Sequence, residues 1–278
     1  MNDCDVAIAV ADAGAAVVRR CFGTTLQRLE KGAGDFATNA DIEAEHAMLA
    51  VLHRERPEDA ILGEESGRSG AGSGWRTWLV DPLCGTLNYA VRMRVAAVNV
   101  ALRSGGRCIT AAVADPFNHE IFWTDGLAAF MRADGQDTPL APHGRSKLVD
   151  LNFDPPFPNA PAFKAVMLAA DAEFAASFRP RVVSTSVALT WVATGQRAAY
   201  ITDGDVRESV HFTAGLAICE AAGCTVTDLR GHEWSIGATG LVAAADAETH
   251  AALLSLVKKY LSDIVRGKAE QGPGADCL

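Results

Sequence analysis

The run Trp78-Leu79-Val80-Asp81-Pro82-Leu83-Cys84-Gly85-Thr86 places a carboxylate, a thiol and a hydroxyl close behind an apolar stretch that reads as the end of a strand. A strand that ends in acids around a proline and runs into Gly-Thr suits a Mg²⁺ and phosphate site, yet here the second acid position holds the Cys84 thiol. Upstream, Gly63-Glu64-Glu65-Ser66-Gly67 follows another short apolar strand. Two strand ends that deliver carboxylates to neighbouring loops can share one hard cation, because Mg²⁺ takes oxygen ligands and tolerates several waters.

The elements that must position these groups are legible from spacing. Val6, Val10, Ala13, Val17 and Cys21 predict a helix over 5–22, with Arg19 and Arg20 at its cationic end before Gly23. A second helix is expected from a Thr38 or Asn39 cap to Pro57, with Asp41 in its first turn. Strands follow at 60–63, 77–80, 95–102, 108–114 and 120–123, which suggests an α+β half whose mixed or antiparallel sheet is covered on one side. The stretch 132–161 is rich in Pro, Asp, Gly and Asn and reads as loop, so a boundary is placed at about 140/141, between an N-terminal α+β subdomain (1–140) and a C-terminal α/β subdomain (141–265).

In the second half a helical segment is expected over 160–178, a strand near 181–184, a helix over 188–194 and a strand at 198–202. A helix over 211–222, strands at 225–228 and 241–244, and a helix over 247–264 capped by Asp246 follow. The tail 266–278 lacks apolar periodicity and is expected to be disordered.

The 278 residues are 49% hydrophobic and 21% charged with a formal net charge of −9, an ordinary globular composition whose field attracts neither nucleic acid nor an anionic membrane. A small-molecule partner is the better expectation. Acids near the N-terminus, no apolar run long enough to span a bilayer, and seven cysteines without a CxxC pair predict a cytoplasmic protein with reduced thiols.

Taken in order, Asp35-Phe36-Ala37-Thr38-Asn39-Ala40-Asp41, the Glu-Glu loop, the Asp-Pro-Leu motif, and His211-Phe212-Thr213-Ala214-Gly215 with Glu220-Ala221-Ala222-Gly223 resemble the inositol monophosphatase family of Mg²⁺-dependent, lithium-sensitive phosphatases. The resemblance covers about residues 5–262. It implies a layered α+β and α/β sandwich, a homodimer, and a small anionic substrate such as a phosphorylated polyol or sugar. It further implies a first Mg²⁺ held by Glu65, Asp81 and the Leu83 carbonyl, with Asp41 and Thr86 orienting the attacking water, and a helix opening at Gly85 and Thr86 beside the substrate.

The same resemblance assigns a second metal to Asp81 plus the positions of Cys84 and His211, where both family acids are replaced. Removing two charges and substituting sulfur and nitrogen for hard oxygen weakens Mg²⁺ there. Asp81, Cys84 and His211 with a water form instead a mixed set of the kind tetrahedral Zn²⁺ accepts, so the altered position either takes such an ion or stands empty. A Cys84 nucleophile with His211 as its base is a further option, a helix N-terminus favouring the thiolate. Arg92 and Arg94 are candidate contacts for a substrate phosphate or carboxylate. The leading expectation is a divergent phosphate ester hydrolase. The alternatives are a repurposed enzyme working through Cys84 and His211, or a ligand-binding protein without catalysis.

Overall fold

The computed structural model describes residues 1–32, 35–70, 74–153, 165–235 and 240–261. An eight-stranded sheet is built from Arg76–Cys84, Ala97–Ser104, Arg107–Asp115, Glu120–Thr124, Ala129–Ala133 and Gln136–Pro139 as an antiparallel run, with Ala60–Gly63 and Gly67–Ser69 added at the Arg76–Cys84 edge. Ala60–Gly63 runs parallel to Arg76–Cys84, so the two strand ends that carry acids lie side by side.

Helices Asp3–Cys21 and Asn39–Glu55 cover one face of this sheet through Val6, Val10, Met48 and Leu52 against Trp78, Val80, Val98 and Val100. Helices Val187–Ala193 and Thr213–Ala222 cover the other through Leu189, Val192 and Leu216 against Leu79, Ala101, Val113 and Phe122. One-sided cover was the sequence expectation, and the structure corrects it. Residues Ala97–Leu102 are buried without interruption, a pattern that a strand shows when apolar layers press on both faces. Each large side chain so buried contributes about 1.5–3 kcal/mol.

A second, five-stranded sheet has the order Arg179–Val182, Leu148–Leu151, Ala199–Thr202, Leu241–Ala244 and Thr225–Thr227. The first three strands are parallel and the last two are added antiparallel. Tyr200, Leu241 and Ala243 pack onto the same two helices that back the large sheet. On the far face, Leu253, Leu256 and Val257 of helix Ala247–Lys258 and Phe174 of Ala172–Ser177 close the stack. The result is a five-layer alternation of helices and sheets.

Several local expectations are corrected. Residues Arg28–Gly32 and Asp35–Thr38 form a separate two-stranded sheet in a region to which the sequence analysis assigns no element. Gln136–Pro139 and Leu148–Leu151 are strands inside the stretch read as loop, and residues 154–164 lie outside the described set. The helical segment over 160–178 is split, because Asp171 accepts hydrogen bonds from the Glu173 and Phe174 N–H groups and starts a new helix. The helix expected from 211 begins at Thr213, leaving His211 in the turn before it. The final helix is Ala247–Lys258, and the tail falls outside the described residues. Among the described residues, no helix is long and apolar enough to cross a membrane.

Candidate active site

The parallel pairing of Gly63 with Val80 continues one step, with the Glu64 N–H donating to the Val80 carbonyl at 3.0 Å. That register sets Glu64 level with Asp81 and Glu65 one residue beyond. Asp81 is fully buried; its Oδ1 accepts from the Leu83 N–H at 3.1 Å and its Oδ2 from Asn99 Nδ2 at 2.9 Å. The Glu64 carboxyl stands within hydrogen-bonding reach of Asp81, and its Oε2 is buried without a donor among the described residues. Burial first, then the Asp81 charge, push the Glu64 carboxyl well above the usual carboxylate range, against the pull of His211 and Lys31. Two facing carboxyls of which one keeps its proton form a place where a cation can take that proton's position.

Glu65 shares Lys31 with Glu64, whose Oε1 accepts from Lys31 Nζ at 3.0 Å. Glu65 Oε1 meets Lys31 Nζ at 2.6 Å, and its acidic neighbours are Asp41 and Glu45. Gly63 makes this crowding possible, since a Cβ there would collide with Glu45 Oε1.

Asp41 and Thr86 meet as expected. The Thr38 N–H and hydroxyl donate to Asp41 Oδ2 at 2.8 and 2.6 Å, forming a capping box that fixes the carboxylate at the helix start. Thr86 Oγ1 lies 3.0 Å from both Asp41 Oδ1 and the Leu83 carbonyl. Gly85 sits at φ 103°, the left-handed turn that swings the chain from strand into the short helix Thr86–Ala90. A Cβ there would press on the Val95 carbonyl and on Thr185.

Cys84 and His211 converge on the same carboxylate. His211 Nδ1 is 2.9 Å from Asp81 Oδ2, and one ligand atom from each of Asp81, Cys84 and His211 falls within 4.8 Å of the others. A register shift between Asp81 and Cys84, against Asn99 and Ala97 on the neighbouring strand, aims the sulfur toward the imidazole. Burial opposes charge on both members of the Asp81–His211 pair. Their mutual attraction outweighs it, holding the carboxyl below and the imidazole well above their ordinary values. Cys84 behaves oppositely to the thiolate expected at a helix start. Burial and the Asp81 charge push the thiol up, while the His211 ring and the Ser186 N–H, 3.2 Å from Sγ, only partly offset them.

The predicted residues Asp41, Leu83, Asp81, Cys84, Thr86 and His211 thus share one site, with Glu65 at its Lys31 side. Arg92 and Arg94 stand exposed on the turn beyond, the Arg94 guanidinium 5.7 Å from the Phe22 ring centre. Sequence reasoning missed Glu64, Lys31, Asn99 and Ser186. Ser186 Oγ lies 2.8 Å from Asn99 Nδ2, so Ser186 braces both the Cys84 sulfur and the amide that holds Asp81. Glu64 could have been found by counting the parallel strands into register. Nothing local in the sequence pairs Lys31, Asn99 or Ser186 with the site.

A family model described as the inositol monophosphatase family matches residues 2–262. The inositol-1-monophosphatase of Caulobacter vibrioides is 30% identical over 249 residues, covering 86% of this chain and 94% of that protein. The Nus factor SuhB of Escherichia coli K12 is 29% identical over 242 residues, or 85% and 88% of the two chains. Among solved structures, the extragenic suppressor protein suhB of Bartonella henselae matches with a TM-score of 0.80 at 24% identity, covering 92% of this chain and 98% of that one.

Proposed function

The chain belongs to the inositol monophosphatase family, and from that membership we propose that it hydrolyses the phosphate ester of a small polyol or sugar-like metabolite with the help of a metal ion. The observation that carries the reading is Thr86 Oγ1, 3.0 Å from both Asp41 Oδ1 and the Leu83 carbonyl and next to the Glu64–Asp81 pair. A hydroxyl that donates to a fixed carboxylate keeps its lone pairs for an incoming water, and so turns that water's own lone pair toward a phosphorus atom.

Glu64 Oε2, without a donor among the described residues, and the hard oxygen set fit a Mg²⁺ ion held by Glu64, Asp81 and the Leu83 carbonyl, a reading that moves to Glu64 the ligand role first expected for Glu65. When bound, such an ion supplies Lewis acidity toward a phosphoryl oxygen and makes water a better nucleophile. Asp41 and Thr86 orient that water, Asn99 and Ser186 hold Asp81 and Cys84 in place, and the exposed Arg92 and Arg94 attract the anionic substrate. A homodimer, on the family's habit, in the cytoplasm, on the composition of the sequence, is the proposed setting.

The convergence of carboxylate, thiol and imidazole favours a second reading of the altered metal position, in which it selects Zn²⁺ over Mg²⁺. A Cys84 thiolate nucleophile is the weaker alternative, because burial and Asp81 keep the proton on sulfur.

The decisive assay strips the purified protein with EDTA and follows phosphate release from a panel of polyol and sugar monophosphates. Mg²⁺ should restore turnover, and Asp41→Asn or Thr86→Ala should lower it by about 10²-fold or more. Turnover that survives complete metal removal, or no hydrolysis with any ion, would reject the proposal. Metal analysis of the untreated protein tests the Zn²⁺ reading through the zinc content of wild type against Cys84→Ser.

A further inference from the structure

The helix Thr213–Ala222 ends in a turn that brings two cysteines together. Gly223 lies at φ 94°, the left-handed conformation that closes a helix, and its N–H reaches back to the Cys219 and Glu220 carbonyls. The Cys224 N–H then donates to the Cys219 carbonyl at 2.9 Å. Bond lengths alone therefore hold the two Cα atoms within about 7 Å of each other, a span that a disulfide can bridge. In this helix-ending motif the side chains at the two ends of that hydrogen bond pack on one another. The thiols follow suit, with the Cys224 sulfur within hydrogen-bonding reach of Cys219. The chain reversal at Gly223 does what a C-x-x-C spacing does elsewhere.

The two thiols differ in access. Cys219 is fully buried, its Sγ 3.2 Å from the Leu189 carbonyl, whereas Cys224 is partly exposed. The bond to Cys224, then burial, hold the Cys219 thiol well above its ordinary value, so Cys219 keeps its proton and the exposed sulfur meets an oxidant first. Cys108 packs in the same cluster but has its own acceptor, the Thr110 carbonyl at 3.4 Å, and burial pushes its thiol up to about 12. The Cys219–Cys224 pair has no part in the metal-assisted reading above.

We propose that Cys219 and Cys224 are a modification site, a dithiol that a hydroperoxide oxidises to a disulfide. The Cys224 thiolate attacks the outer oxygen of the peroxide, the O–O bond breaks, and the departing oxyanion takes up the proton that Cys224 released. The Cys219 sulfur then attacks the resulting sulfenic acid. The S–S bond forms, the S–O bond breaks, and hydroxide leaves as water with the Cys219 proton. Two thiols lose two electrons and one peroxide gains them. Closure also removes the S–H donor from the Leu189 carbonyl and so loosens the contact between helices Val187–Ala193 and Thr213–Ala222. The first of these opens at Ser186, the residue that braces the Cys84 sulfur and Asn99.

The test exposes the full-length protein in EDTA to hydrogen peroxide, unfolds it in N-ethylmaleimide, and maps the tryptic fragment 208–230, which holds Cys219 and Cys224 and no other cysteine. The fragment should emerge unlabelled and lighter by two hydrogens, and dithiothreitol before blocking should restore both labels. In Cys224→Ser, Cys219 should stay reduced after the same exposure, while Cys108→Ser should behave as wild type. Circular dichroism checks that both variants are folded, and the wild-type map stands without them. Amide exchange over residues 187–193 should rise by about tenfold or more in the oxidised wild type. A fragment that still takes two labels, that carries added oxygen in place of the internal link, or that is joined to Cys108 overturns the inference. A disulfide that leaves exchange over 187–193 unchanged overturns the loosening of the helix contact.

Discussion

Burial and the adjoining Asp81 charge keep the Cys84 thiol protonated, and a protonated thiol is a poor nucleophile. Iodoacetamide at neutral pH should therefore label Cys84 more slowly than the partly exposed Cys4, as read by peptide mass spectrometry; faster labelling of Cys84 would revive the thiolate alternative. Glu64 makes the complementary case. Its carboxyl faces Asp81 and is pushed up to about 8, so above that pH Glu64→Gln should relieve repulsion in metal-free protein and keep an N–H donor on Asp81. We expect a gain of about 1 kcal/mol in EDTA, seen as a rise of roughly 2–4 °C in Tm, together with loss of Mg²⁺ binding. The meeting of Asp81, Cys84 and His211 was legible because each sits in a motif with fixed neighbours. That Glu64 is the glutamate facing Asp81 was not, because adjacent residues differ only in which strand register faces the partner acid.

Regular elements carry their own testable strain and charge. Gly85 turns the strand Arg76–Cys84 into the helix Thr86–Ala90 at φ 103°, with the Val95 carbonyl and Thr185 where a side chain would go. Gly85→Ala should cost about 1–3 kcal/mol, measured by chemical denaturation. On the five-stranded sheet, burial raises the Asp150 carboxyl to about 6 in spite of its paired hydrogen bonds from Arg197 Nε. A folded-state value above the unfolded one means that the stabilising contribution is complete below about pH 4 and is lost as pH rises through 6. Between pH 4.5 and 7.5, wild type should lose on the order of 1–2 kcal/mol more than Asp150→Asn; parallel pH profiles would exclude this origin.

Elements with a cap or an apolar period, such as the Thr38–Asp41 box and the strand at Trp78, were readable in advance. The arm at 28–32 was not, since a strand exposed at every position has no alternation to read.

At the scale of the molecule, one layer of helices, Val187–Ala193 and Thr213–Ala222, is the shared core of both sheets. The two sheets should consequently unfold together. Tryptophan fluorescence, which sums five residues including Trp78 in the large sheet and Trp191 in the middle layer, should give the same denaturation midpoint as far-UV circular dichroism. Separate midpoints would show two independently stable units.

Ser186 and Thr185 reach from the second half of the chain to Cys84, and Ser186 also reaches Asn99. While the protein is being synthesised, the acidic notch made by residues 41–86 therefore leaves the ribosome without a roof. It cannot be completed until the segment through His211 has emerged. A truncated nascent chain can present the carboxylates yet lacks both the brace and the imidazole, so competence arrives late and all at once.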